Sequence, residues 1–282
     1  MKRNHALLLL LVLLYCAVIG FLPVLDRLVL FPTTARLNAG AATRTTLPFE
    51  GGELEIWKAK SERARSSGRV DAYVLRWYGN ADRADRWVAA EADMWNGRAV
   101  EVWGMNYPGY GGSTGPARLA RIGPAALAAF DALKREAGDR PILLFGASLG
   151  TTAALHVAAH RPVAGVILHN PPALRQMVLG QFGWWNLWLF AGPLSAKIPA
   201  ALDSVSNASA IHAPAVFLLA ENDEVVAPKF QALVANAYAG EKRVITLPAA
   251  GHNSSLSDVA LKELNRAIDR FLYGRENLAH AK

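Results

Sequence analysis

The sequence predicts an α/β fold, a doubly wound and mostly parallel sheet with helices on both faces. Two observations carry that expectation. From about residue 70 to residue 273, apolar runs of strand length alternate with amphipathic stretches of helix length, the pattern of successive βαβ units. One of those runs, 142–145, passes through Gly146-Ala147-Ser148-Leu149-Gly150 straight into a helical pattern, the strand, sharp turn and helix of a nucleophile elbow. In such a sheet the chemistry lies at the carboxyl ends of the strands.

The chain opens on Lys2 and Arg3, and residues 6–25 then carry no charged side chain over twenty positions. A transmembrane helix needs about twenty apolar residues, so 1–26 is expected to be an uncleaved membrane anchor. A cleaved signal peptide has the same charged start and apolar centre, but no A-x-A site follows. Lys2 and Arg3 would hold the amino terminus in the cytoplasm, which puts the rest of a single-pass protein on the non-cytoplasmic side, periplasmic or extracellular in a bacterium. The single cysteine, Cys16, excludes an internal disulfide and is expected to face lipid or a packed neighbour.

Residues 27–282 read as one catalytic domain. Strands at 44–49 and 53–59 form a hairpin at Gly51-Gly52, and 61–69 is a charged loop. A strand at 70–77 ends in Tyr78-Gly79-Asn80-Ala81, a helix runs from 82 or 83 to 95, and a strand at 99–104 enters a Pro/Gly loop at 106–116. The next helix starts at about Pro124, buries Leu127, Phe130, Leu133 and Ala137, and stops at Gly138. Past the elbow helix a buried strand covers 163–168. Residues 171–212 break the alternation and read as a cap-like insertion, with Phe182, Trp184, Trp185, Trp188 and Phe190 close together. Order returns with a strand at 215–220, a helix at 229–239, a strand at 243–247 and a helix at 257–273.

Glycines at 146 and 150 let strand and helix close around the turn and leave the Ser148 hydroxyl exposed, so Ser148 is the candidate nucleophile. Gly111-Gly112-Ser113-Thr114-Gly115 fits the same five-residue pattern, but it follows Tyr107-Pro108-Gly109 and precedes Pro116, which is loop chemistry. A serine hydroxyl is a weak nucleophile, so it needs a base, and the base needs an orienting carboxylate. Asp223 follows the strand at 215–220 and His252 follows the strand at 243–247, the chain order Ser, acid, His that the architecture asks for. Glu221, Glu224 and Asp203 compete for the acid. Among the other histidines, His156 and His160 lie on the elbow's own helix, His212 precedes a proline connector, and His169 alone ends a neighbouring strand. An oxyanion hole would use the backbone N–H groups of Leu149 and of Asn80.

Lysine and arginine number 30 against 23 acidic residues, a net charge of +7, yet the basic residues are scattered and carry no nucleic-acid motif. A membrane surface is the expected partner, and nucleic acid is not. No His/Cys/Asp cluster has ligand spacing, so neither metal nor cofactor is expected.

With YGNA at 78–81, NYPGYGGSTG at 106–115, GASLG at 146–150, APAVFLLAENDEVVAP at 213–228 and GHN at 251–253, the chain resembles the α/β-hydrolase superfamily, and within it the membrane-anchored ABHD-type serine hydrolases. The resemblance covers about 28–273 and departs at Tyr78, where that group usually has histidine, which puts the shape of the oxyanion loop in question. It implies a Ser148-Asp223-His252 triad with Leu149 and Asn80 at the oxyanion hole, acting on esters or thioesters of lipid-like acyl chains. Tyr78, Trp184, Trp185 and Trp188 are the expected substrate-binding residues, the tryptophans forming an apolar acyl site that opens towards the bilayer. A peptidase of the same fold and a non-catalytic scaffold are the alternatives.

Overall fold

The computed structural model describes residues 2–20, 23–35, 37–95, 97–183 and 189–274. Helix α1, Lys2–Gly20, is apolar on every side, with Leu7 to Leu14 all exposed. No helix among the described residues is long and apolar enough to cross a membrane. The uncharged stretch expected to span a bilayer is instead divided. Pro23 opens a separate helix α2, Val24–Val29, and Leu25 and Leu30 are buried in the core of the globular part. Cys16 is exposed.

Strands β1 (Thr43–Phe49) and β2 (Gly52–Lys60) form the expected hairpin and start the sheet. Residues 61–69, expected as a loop, contain helix α3, Glu62–Ser67. The Ser61 side chain accepts from the Ala64 N–H, and Gly68 closes the helix at φ 68°, the left-handed conformation glycine favours. Strand β3 (Ala72–Trp77), helix α4 (Ala84–Asp93) and strand β4 (Val100–Met105) follow. Every residue of β3 and β4 is buried, as central parallel strands covered on both faces must be.

Helix α5 runs from Leu119 to Ala137 and starts five residues before the expected Pro124, which lies inside it. The reason is remote in sequence: Asp26 Oδ1 accepts the Leu119 N–H at 2.8 Å and so caps the helix from α2. Strand β5 (Ile142–Ala147), helix α6 (Gly150–His160) and strand β6 (Gly165–His169) make the elbow unit. The insertion contains α7 (Leu174–Phe182), α8 (Ala191–Ala196), a 3-10 turn Ala200–Leu202 and α9 (Ser204–Ala208). Strand β7 (Ala215–Ala220), helix α10 (Pro228–Ala237), strand β8 (Lys242–Leu247) and helix α11 (Asp258–Tyr273) complete the chain.

The eight strands lie in the order β1-β2-β4-β3-β5-β6-β7-β8, parallel from β4 to β8 and antiparallel where β2 meets β1 and β4. One face packs Leu75, Leu144, Leu168 and Phe217 against Phe130 and Leu133 of α5 and Leu155 of α6. The other packs Val74, Leu143, Ile167 and Val216 against Val88 of α4 and Leu264 of α11. Neighbouring residues of one strand thus feed opposite cores, the two-residue period of a covered sheet. Both layers keep the carboxyl ends of β3, β5, β7 and β8 at a common edge, where 78–81, 148, 223 and 252 emerge.

Candidate active site

The elbow is built by steric necessity. A Cβ on Gly146 would lie 2.5 Å from Gly150 O, and one on Gly150 would lie 2.3 Å from Trp77 O, so neither position admits a side chain. Between them Ser148 is held at φ 49°, a conformation non-glycine residues rarely adopt. Its N–H donates to His169 O at 2.8 Å, which ties the turn to the end of β6.

Three side chains meet at this edge. His252 Nε2 lies 3.0 Å from Ser148 Oγ, and His252 Nδ1 lies 2.8 Å from Asp223 Oδ2. Asp223 Oδ1 accepts the N–H groups of Val225 at 2.9 Å and Val226 at 2.7 Å. Its other oxygen also accepts from Gln231 Nε2 at 3.1 Å. Four donors fix a carboxylate that is buried to 4 % exposure. The sequence reading did not single out Gln231. A polar residue on the buried face of the helix after the acid was the only signal for it.

The competing groups lie elsewhere. Glu224 accepts the His252 backbone N–H at 3.3 Å and not its ring, Glu221 is exposed, and Asp203 pairs with Arg175 at 3.2 Å and caps α9. The ring centroids of His156 and His160 lie 4.4 Å apart with the rings tilted against each other, and His212 is exposed. Ser113 is spent on structure: its Oγ accepts the Glu55 N–H and donates to Asn106 O, both at 2.8 Å, and its side chain is buried.

The loop carrying Asn80 approaches the elbow closely enough that a Cβ on Gly79 would touch Ser148 Cβ at 3.8 Å. It is held from behind. Tyr107 Oη donates to Tyr78 O at 2.7 Å, Tyr110 Oη donates to Asn80 O at 2.6 Å, and Asn80 Nδ2 donates to Val29 O at 2.7 Å. Leu149, the other residue expected at the oxyanion hole, is buried beside Ser148 at the start of α6. Tyr78 is buried, and its hydroxyl donates to Glu91 Oε2 at 2.8 Å. Glu91 is also gripped by Arg76, whose guanidinium lies 4.5 Å from the Tyr78 ring centroid and 4.0 Å from that of Phe145. Tyr78, where the sequence departs from the motif it resembles, thereby keeps the loop anchored to the Arg76–Glu91 ion pair.

A cavity of about 560 Å³ reaches Ser148 and His252 and is lined by Tyr78, Asn80 and His169 among others. Burial, with Arg76 and His252 nearby, holds the His169 imidazole down at about 4, so the ring is neutral at neutral pH. Trp184, Trp185 and Trp188 lie outside the described residues. No cluster of metal-ligating side chains occurs among the described residues.

This architecture matches known proteins. Residues 79–202 match the family described as alpha/beta hydrolase fold. A Pyrococcus furiosus esterase superposes with a TM-score of 0.62 over 86% of this chain and 97% of that one, at 14% identity. The chain has the α/β-hydrolase fold. Est1E from Butyrivibrio proteoclasticus has the same fold at a TM-score of 0.61 and 14% identity, over 84% of this chain and 99% of that chain. A membrane phospholipase A described as a bacterial virulence factor shares it at a TM-score of 0.57 and 17% identity, covering 96% of this chain and 99% of that chain. In sequence, two uncharacterized proteins from two strains of Mycobacterium tuberculosis are 29% identical over 113 residues, 40% of this chain; the match spans 38% of their length.

Proposed function

We propose that the chain is a serine hydrolase that cleaves an ester or thioester of a lipid-like acyl group through an acyl-enzyme. The observation that carries this reading is the aligned set Ser148 Oγ, His252 Nε2, His252 Nδ1 and Asp223 Oδ2, with spacings of 3.0 and 2.8 Å. His252 takes the Ser148 proton as Oγ attacks the acyl carbon, and Asp223 stabilises the imidazolium that forms. Collapse of the tetrahedral adduct expels the alcohol or thiol, which leaves with that proton. A water molecule then attacks the acyl-enzyme and gives a proton to His252, which returns it to Ser148 Oγ as the acid is released. The Leu149 and Asn80 N–H groups are the donors assigned to the oxyanion.

Membrane attachment is assigned to α1, whose leucines between 7 and 14 are exposed. Its Tyr15 meets the insertion, donating to Leu189 O at 2.5 Å and stacking edge-on against Phe190 at 5.3 Å. Leu189 and Phe190 are themselves exposed, so the apolar surface of α1 continues onto the globular part. The basic Lys2 and Arg3 ahead of the apolar stretch support an orientation with the catalytic part on the non-cytoplasmic side.

The test is turnover of an acyl series from acetyl to long-chain esters, matched thioesters and peptide amides, by the full chain and by Ser148→Ala. The reading expects ester or thioester hydrolysis that rises with chain length and vanishes in Ser148→Ala. Amide cleavage alone would favour a peptidase, and no turnover of any substrate a scaffold.

A further inference from the structure

The cavity beside Ser148 opens on the sheet face covered by α4 and α11, between α4 and the loop that carries His252. Arg76, Ala147 and His169 reach it from the ends of three adjacent strands, and their alternation puts them on the same face as Val74, Phe145 and Ile167. Polar and apolar surface share its lining about equally, and most of the residues there carry polar side chains, more than a pocket built for an alkyl chain alone would need. Resting on the hydrolase reading above, we propose that this cavity is the leaving-group subsite and takes the hydroxyl-rich alcohol of a polyol ester.

Charge decides against an ionic group. Arg76 is paired with Glu91 at 2.9 Å, and Arg86 is paired with Asp82 at 3.5 Å, so two cations and two anions of the lining cancel. A neutral group rich in hydrogen-bonding positions fits such a surface. His169 is one of the lining residues, and its Nε2 is buried with no hydrogen-bond partner among the described residues. A neutral imidazole offers that nitrogen as donor or acceptor according to tautomer, and a hydroxyl can answer either. Burial keeps the ring neutral, so the offer persists through the neutral range.

The rim supplies the remaining contacts a polyol uses. Trp87 is 43% exposed, and its Nε1 donates to Asp82 Oδ2 at 2.6 Å, which sets the plane of the ring as a platform for a C–H face. Across the opening Asn253, Ser254 and Ser255 are exposed amide and hydroxyl groups on the His252 loop. Position on the reaction path agrees: the leaving oxygen receives its proton from His252, so the alcohol must lie on the side of Ser148 that His252 faces.

The experiment compares the ethyl, 1-glyceryl and 6-glucosyl esters of one medium-chain acid with the full-length protein. The expected result is kcat/KM about tenfold or more higher for a polyol ester than for the ethyl ester, with that ratio falling about tenfold in His169→Phe and in Trp87→Ala. A glyceryl ester turned over faster than the glucosyl ester identifies a glycerol source, and the reverse order a sugar. Equal kcat/KM for ethyl and polyol esters would overturn the subsite and leave the hydrolase reading standing. Variants that lower all esters in proportion, with a lower Tm, would also overturn it and make both residues packing groups. No turnover of any ester by the wild type would defeat the hydrolase reading itself, and the subsite with it.

Discussion

The Gln231 side-chain amide lies 3.1 Å from Asp223 Oδ2, the same oxygen that His252 Nδ1 reaches at 2.8 Å. Gln231 is fully buried and also donates to Val226 O at 2.8 Å, so it positions the carboxylate from α10. Gln231→Met removes the donor that fixes this oxygen from α10, so kcat should fall by roughly tenfold with KM unchanged. A lowered Tm with kcat per folded molecule unmoved would reduce Gln231 to a packing residue.

Ser113 and Ser148 sit in the same five-residue pattern and should behave oppositely. Removing the Ser113 hydroxyl leaves the buried Glu55 N–H without its acceptor and Asn106 O without its donor, at a cost of about 1–3 kcal/mol in stability. Ser113→Ala should thus lower the denaturation midpoint while kcat per folded molecule is retained. Loss of kcat at full stability would transfer the nucleophile to residue 113.

The two ends of the uncharged amino-terminal stretch do different work. Deleting residues 2–22 should free the protein from membranes and leave its stability in place. Extending the deletion to residue 26 also removes the Leu119 cap supplied by Asp26, about 1 kcal/mol, and the buried Leu25 side chain, about 1.5–3 kcal/mol. Equal urea midpoints for the two truncations would show that α2 contributes nothing to the fold.

His169 sets a pH dependence of stability whose sign follows from burial. The folded ring takes its proton at about 4 instead of 6.5, so between those values the unfolded chain binds more protons. This contribution is complete above pH 6.5 and is lost as pH falls towards 4. His169→Phe should flatten that slope, so its Tm advantage over wild type grows from pH 7 to pH 5. An unchanged difference across that range would mean the imidazole is accessible to protons in the folded state.

Much of this was legible in the sequence. Strand-helix alternation depends on local apolar periodicity, and every strand of the sheet lies within a few residues of its expected place. The residues of the elbow, Asp223 and His252 follow from strand ends, and the structure brings these three side chains into one hydrogen-bonded line. What escaped rests on contacts distant in sequence. The start of α5 depends on Asp26, 93 positions away, and the division of the apolar amino terminus depends on Leu25 finding a core that periodicity does not reveal. Helix α3 was hidden because five of its six residues are polar, so that Ala64 alone makes no apolar face, and only the Ser61 cap announces it. Gln231 was hidden because a glutamine on a helix reads as surface until the acid above it is placed.

The most direct measurement is covalent labelling of the intact protein with a fluorophosphonate, followed by peptide mapping. A hydroxyl 3.0 Å from His252 Nε2 and held in a strained turn should react where ordinary serines do not. The account predicts one adduct, on Ser148, absent in Ser148→Ala and strongly slowed in His252→Ala. An unlabelled protein, or an adduct on Ser113 that persists in Ser148→Ala, would contradict it.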